Sequence, residues 1–144
     1  MPASSPDDTI RRNLAAVLRR QARQYPVVTV TGPRQAGKTT LCSQVFRGKP
    51  YISFESLDNR ERAHDDPRGL LADLPRGAVF DEVQHVPDLL SYLQGEVDKR
   101  PTPGRFILTG SQHLKLSAAV SQSLAGRTAV LELCRHVSMK YSGS

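Results

Sequence analysis

Gly32, Gly37, Lys38 and Thr39 stand in the spacing G-x-x-x-x-G-K-[ST] within TGPRQAGKTTL, directly after the apolar run VVTV. Glycines at those two places let the backbone curl until successive N–H groups point inward, and a helix opening at the lysine adds its positive N-terminus. The product is a cradle for phosphate oxygens. Lys38 is then placed to reach the β- and γ-phosphates of a nucleotide, and the Thr39 hydroxyl to ligate Mg²⁺. The stretch formed by Gly32, Pro33, Arg34, Gln35, Ala36, Gly37, Lys38, Thr39 and Thr40 is the expected binding loop for ATP or ADP. The competing reading is a plain strand-to-helix turn. An apolar run before the loop and a helical pattern after it weigh against that alternative.

Two carboxylates end the segment GAVFDE. An ionised Asp81 at the end of a buried strand is costly unless something compensates it, and a magnesium ion bridged to it by water would do so. The alternative is an acidic pair on the surface. Glu82 is placed to orient and deprotonate a water attacking the γ-phosphate. Ser111 and Gln112 follow the apolar run RFILTG, where they either bond the γ-phosphate or attacking water, or cap a helix. Arg127 precedes the last apolar run. It is either an arginine finger serving a neighbouring subunit's nucleotide or an exposed salt-bridging residue. The expected catalytic set is Glu82, Lys38, Arg127 and Ser111, with Thr39 and Asp81 as metal ligands. Cys42 and Cys134 lack ligand spacing and read as small apolar side chains. His64, His85, His113 and His136 show no ligand pattern and read as surface residues.

These groups need elements to position them. Apolar spacing predicts a helix from about Ile10 to Gln24, with Ile10, Leu14, Val17 and Leu18 on one face and Arg12, Arg19 and Arg23 on the opposite one. Residues 1–9 read as a flexible start, with Asp8 or Thr9 available as a cap. VVTV, YISFE, GAVFDE, RFILTGS and TAVLEL read as strands. Helices are expected from about Lys38, around Pro67, after Pro87 and near Ser117 to Leu124. Strands alternating with helices make an α/β fold with a mostly parallel sheet covered on both faces and right-handed crossovers. Function in such sheets gathers at the carboxyl ends of the strands. Here Gly32 onward, Asp81-Glu82 and Thr109-Gly110-Ser111 all follow strand ends.

The chain has 144 residues, enough for one domain with one core. A formal charge of +6 suits an acidic partner, nucleotide or nucleic acid. The arginine face of the first helix is either a solvated face or a nucleic-acid stripe, and no aromatic residue interleaves with it to stack on single strands. No apolar run approaches the roughly 20 residues that cross a bilayer, and the opening MPASSPDDTI lacks the pattern of a secretory signal. With two cysteines and no disulfide framework, the cytoplasm is the expected compartment.

GPRQAGKTTL, AVFDEVQHVPDLLSYL, RFILTGSQ and SLAGRTAVLEL together resemble a family of bacterial and archaeal AAA-superfamily ATPases carrying G-P-R-Q-x-G-K-T-T and D-E-h-Q-x-h-P signatures, h being apolar. The resemblance runs from the basic helix to Leu133. It implies a P-loop NTPase three-layer sandwich with a mainly parallel five-stranded sheet in the order 5-1-4-3-2. It also implies that Lys38 and Thr39 bind nucleotide and metal, that Asp81 and Glu82 serve magnesium and water, and that Ser111 holds the sensor position. Arg127 matches the AGR of the family pattern. Longer members continue with an L-P-h-[ST] segment and a further C-terminal region, whereas residues 134–144, CRHVSMKYSGS, depart from that pattern. The expectation is a core, residues 10–133, without helical lid or second sensor arginine.

Two function classes follow. One is magnesium-dependent ATP hydrolysis, with homo-oligomers a natural setting for Arg127. The other is a nucleotide-dependent interaction module with little turnover. A small-molecule phosphotransferase fits less well, because no acceptor pocket or arginine-rich lid is visible.

Overall fold

Short runs of β-branched and aromatic residues bounded by glycine or proline become the strands of a parallel sheet, because only a pleated layer buried on both faces accommodates them. In the computed structural model, which describes residues 6–33, 37–111, 114–133 and 139–143, β1 is Val27–Thr31, β2 Tyr51–Ser53, β3 Ala78–Asp81, β4 Phe106–Gly110 and β5 Thr128–Leu133. These five strands are parallel in the order β2-β3-β4-β1-β5, the order implied by the resemblance. β1 lies between β4 and β5, with Thr31 level with Gly110 on one side and Glu132 on the other.

A sixth strand adds to the expected five. β6, Met139–Gly143, pairs antiparallel with β5, Leu131 facing Tyr141 and Leu133 facing Met139. An edge strand offers an unpaired row of N–H and C=O groups, and residues read from the sequence as a tail take that row. MKYSG is too short to announce itself by alternation.

Among the described residues, six α-helices cover the sheet: α1 Pro6–Gln24, α2 Lys38–Val45, α3 Leu57–Asp65, α4 Pro67–Ala72, α5 Leu89–Lys99 and α6 Leu114–Leu124. Strand residues alternate between two cores. Val28, Val30, Val79 and Ile107 meet Leu14 and Leu18 of α1 and Leu41 and Cys42 of α2. Val27, Phe80, Phe106 and Leu108 face α3 to α6, through Leu71, Leu90, Leu93 and Leu124 among others. The rings of Phe54, Phe80 and Phe106 follow one another at centroid distances of 5.5 and 5.7 Å. This is the three-layer sandwich.

The first helix starts earlier than its apolar stripe suggests. Pro6 is its first residue, so residues 6–9, read from the sequence as flexible, are helical, and Asp8 and Thr9 lie within the helix instead of capping it. A proline loses nothing at a first turn, where its missing N–H has no partner. α6 likewise starts at Leu114, before the expected Ser117. No helix among the described residues is long and apolar enough to cross a membrane.

Candidate nucleotide site

β1 delivers the chain to the rim at Thr31, and Gly32 turns it. The Gly32 N–H donates to the Gly110 carbonyl at 3.2 Å, and a Cβ on Gly32 would stand 2.7 Å from the carbonyl oxygen of Leu133. Only glycine fits between the two neighbouring strands. At the other end of the loop Gly37, with φ 77°, precedes α2, a left-handed conformation that side chains disfavour. Between them, Pro33 is half-buried, while Arg34, Gln35 and Ala36 lie outside the described residues. Thr40 is exposed on the first turn of α2. Lys38, by contrast, is 2% exposed, so its ammonium needs partners nearby.

Asp81 is gripped by hydroxyls. Thr39 Oγ1 donates to Asp81 Oδ1 at 2.8 Å and Thr109 Oγ1 to the same oxygen at 2.6 Å, while Ser53 Oγ donates to Oδ2 at 3.1 Å. Tyr51 adds another hydrogen bond from the first residue of β2. Burial alone would raise the Asp81 pKa, but these four donors, Thr109 foremost, outweigh it and hold the carboxyl below the ordinary aspartate value. Asp81 is therefore a preformed anion. The same burial, helped by the Asp81 charge, pushes the Cys42 thiol up to about 12, which keeps it an inert apolar group as the sequence suggests. Cys134 lies outside the described residues.

Glu82 is the next carboxylate along the chain and faces differently. It is the only non-glycine with positive φ among the described residues, at φ 60° and ψ 51°. Its N–H donates to Thr109 Oγ1 at 3.2 Å. That left-handed step costs on the order of 1–2 kcal/mol, and it aims two adjacent carboxylates at different partners. Glu82 Oε1 lies 3.4 Å from Lys38 Nζ, both side chains being almost wholly buried. Glu82 Oε2 accepts from Gln84 Nε2 and, at 3.4 Å, from Ser111 Oγ.

Gln84 is the residue that sequence reasoning misses. A single 3-10 turn, Val83–His85, folds it back onto Glu82. Its amide also donates to Ser111 Oγ at 3.4 Å and accepts from the Ser111 N–H at 3.3 Å. It thus ties the end of β3 to the exit of β4. The available signal is the Q of D-E-h-Q, which carries no chemistry until the turn is known. Thr109 stands among the strand-end residues picked out in the sequence, but its contacts with Asp81 and Glu82 are hidden for the same reason: these partners are 28 and 27 residues away.

The rim thus brings together Gly32, Gly37, Lys38, Thr39, Asp81, Glu82 and Ser111. Gln112 lies outside the described residues. Arg127 stands apart, at the amino end of the sheet. Its carbonyl accepts from Val27 N–H at 3.2 Å, and its guanidinium clasps Asp98 with two bonds of 2.7 and 3.0 Å. The length of β1, about 13 Å at about 3.3 Å per step, separates it from Lys38 of its own chain. His85 is exposed, as expected, yet its ring, with Glu55 and Glu82, brings ligand-type atoms within 4.8 Å of one another. Residues 30 apart in sequence conceal that proximity. His64 is exposed beside Asp65, and His113 and His136 lie outside the described residues.

A strand, a loop bounded by Gly32 and Gly37 and a helix, beside an Asp-Glu strand end on a sheet in this order, fit an AAA-type P-loop domain of the ATPase-like kind. The profile described as "AAA domain" matches residues 24–138, and the chain belongs to that family. It is also 41% identical over 124 residues to Uncharacterized protein Rv2008c of Mycobacterium tuberculosis and, equally, to Uncharacterized protein Mb2031c of Mycobacterium bovis. The alignment covers 85% of this chain and 28% of each relative, so the chain spans little more than a quarter of their length. Membership of the family implies nucleotide binding.

Proposed function

We propose that this domain binds ATP with Mg²⁺ and hydrolyses it to ADP and phosphate at the carboxyl rim of the sheet. The observation that supports this best is the pair of linked clusters, Thr39–Asp81–Thr109 and Lys38–Glu82–Ser111, on adjacent strand ends. Backbone amides of the Gly32–Thr40 loop, with the N-terminus of α2 behind them, receive the phosphates. Thr39 and Asp81 would hold the magnesium ion: a hydroxyl and an ionised carboxylate in contact form the hard-oxygen donor pair this cation takes. Bound there, the cation would neutralise charge on the β- and γ-phosphate oxygens.

Lys38 leaves Glu82 for the γ-phosphate when nucleotide enters. That exchange releases Glu82 Oε1 to accept a proton from the attacking water. Oε2 stays fixed by Gln84 and Ser111, so the base keeps its direction while its other oxygen works. Ser111, beside Glu82, would also bond the γ-phosphate or the water.

Titration of a fluorescent ATP analogue tests the binding half. Lys38→Ala weakens affinity about 10- to 150-fold, the loss of one charge-assisted bond to phosphate, and Thr39→Ala abolishes the magnesium dependence. Unchanged affinity in the first variant would overturn the assignment.

One observation favours the interaction-module reading. In the structure both oxygens of Glu82 are engaged, one by Lys38 and the other by Gln84 and Ser111. A base held this way performs no proton transfer until Lys38 departs, and a domain that rarely made the exchange would report nucleotide without consuming it.

A further inference from the structure

We propose that the groove between α1 and α2 docks the sugar–phosphate backbone of duplex nucleic acid. The groove has a volume of about 550 Å³, and Arg11, Arg12 and Arg19 of α1 and Arg47 just past α2 line it. Among the described residues no carboxylate lines it. Arg12 and Arg19 are seven residues apart, about 10.5 Å along the helix and on nearly the same face. Ala15 leaves the space between them open, and Leu41 and Val45 add apolar wall. Arg47 brings a guanidinium from the opposite bank. Arg11 Nη1 donates to Gln44 at 3.3 Å and fixes the two helices to each other.

Four guanidiniums on two banks match a line of phosphates better than one compact anion. Their planar forks bind phosphate oxygens in pairs, which ammonium groups cannot do. The chain's formal charge of +6 draws the same partner from a distance. No aromatic ring lines the groove, so unpaired bases have nothing to stack on, and this favours a duplex over a single strand. The arginine face foreseen in the sequence is thereby redrawn. Arg23 lies outside the groove, and Arg11 and Arg47 take its place. The groove also lies next to the phosphate loop, because Arg11 Nη2 sits 2.9 Å from where a Cβ on Gly37 would be.

The test is fluorescence anisotropy of a labelled 20-base-pair DNA duplex with the full chain. Nucleotide is absent, so the outcome stands or falls independently of the ATP reading. Four phosphate contacts predict a fall in affinity of about 150-fold between about 50 and 200 mM salt. The triple variant Arg12→Gln/Arg19→Gln/Arg47→Gln should lose about tenfold or more at low salt and lower the salt slope by about three. A control of equal charge, Arg76→Gln/Lys99→Gln/Arg100→Gln, removes exposed cations outside the groove and should retain affinity and slope. Arg11 is kept because it touches the loop. Equal losses in the two triples would overturn the proposal, since net charge alone would then explain binding. Polyglutamate displacing the probe as well as unlabelled duplex does would also overturn it, by showing a site for acidic polypeptide.

Discussion

Glu82 and Asp81 are adjacent carboxylates with opposite surroundings, and the difference is created by single side chains. Asp81 receives hydroxyl donors that keep it ionised; Glu82 receives an ammonium on one oxygen and an amide on the other. Gln84 is thus a positioning residue, acting through Glu82 and Ser111. Gln84→Ala should lower kcat about 10- to 100-fold, the usual loss when a group that orients a working residue is removed, while ATP affinity and KM stay close to wild type. A merely structural glutamine would move stability instead, so steady-state kinetics beside a thermal melt separate the two. An unchanged kcat would remove Gln84 from the account. The gathering of Lys38, Thr39, Asp81 and Glu82 at one rim is legible in the sequence because two short motifs at strand ends carry them. The bonds that Gln84 makes to Ser111 and Thr109 makes to Asp81 are not, because they cross between strands.

At the scale of elements, the rim depends on how closely the strands approach. Gly32 stands between β4 and β5 with no room for a methyl group. Gly32→Ala should therefore destabilise the domain by about 1–3 kcal/mol, the ordinary range for an overfilled packed site. A lower urea midpoint with unchanged slope would report it, and an unaltered midpoint would mean that β5 moves aside freely. The five parallel strands are readable beforehand, because apolar runs alternate with helical periods, whereas their order is implied only by the family resemblance. The limits of α1 and α6 are less so. A helix extends past its apolar stripe wherever polar residues and a leading proline tolerate the turn, as Pro6 does. β6 is set by the open edge it joins, a tertiary cause without local signature.

For the molecule as a whole, the two ends of the sheet carry different candidate groups. The carboxyl rim holds the candidate chemistry, and the amino rim holds Arg127 on Asp98. Arg127 is too far from Lys38 of its own chain to act there, so service to a neighbour's nucleotide requires assembly. Mixing Arg127→Ala with Glu82→Gln subunits should then restore turnover above that of either variant alone, because some interfaces pair an intact finger with an intact base. Mixtures no faster than their components would reduce Arg127 to a surface ion pair. The central claim, that Glu82 is a base waiting for Lys38 to leave, is tested most directly by single-turnover phosphate release with the domain in excess over ATP and magnesium saturating. Wild type should release phosphate, and Glu82→Gln should bind ATP equally yet release it about 10²- to 10⁴-fold more slowly. Equal rates in the two proteins, or no release from wild type, would contradict it.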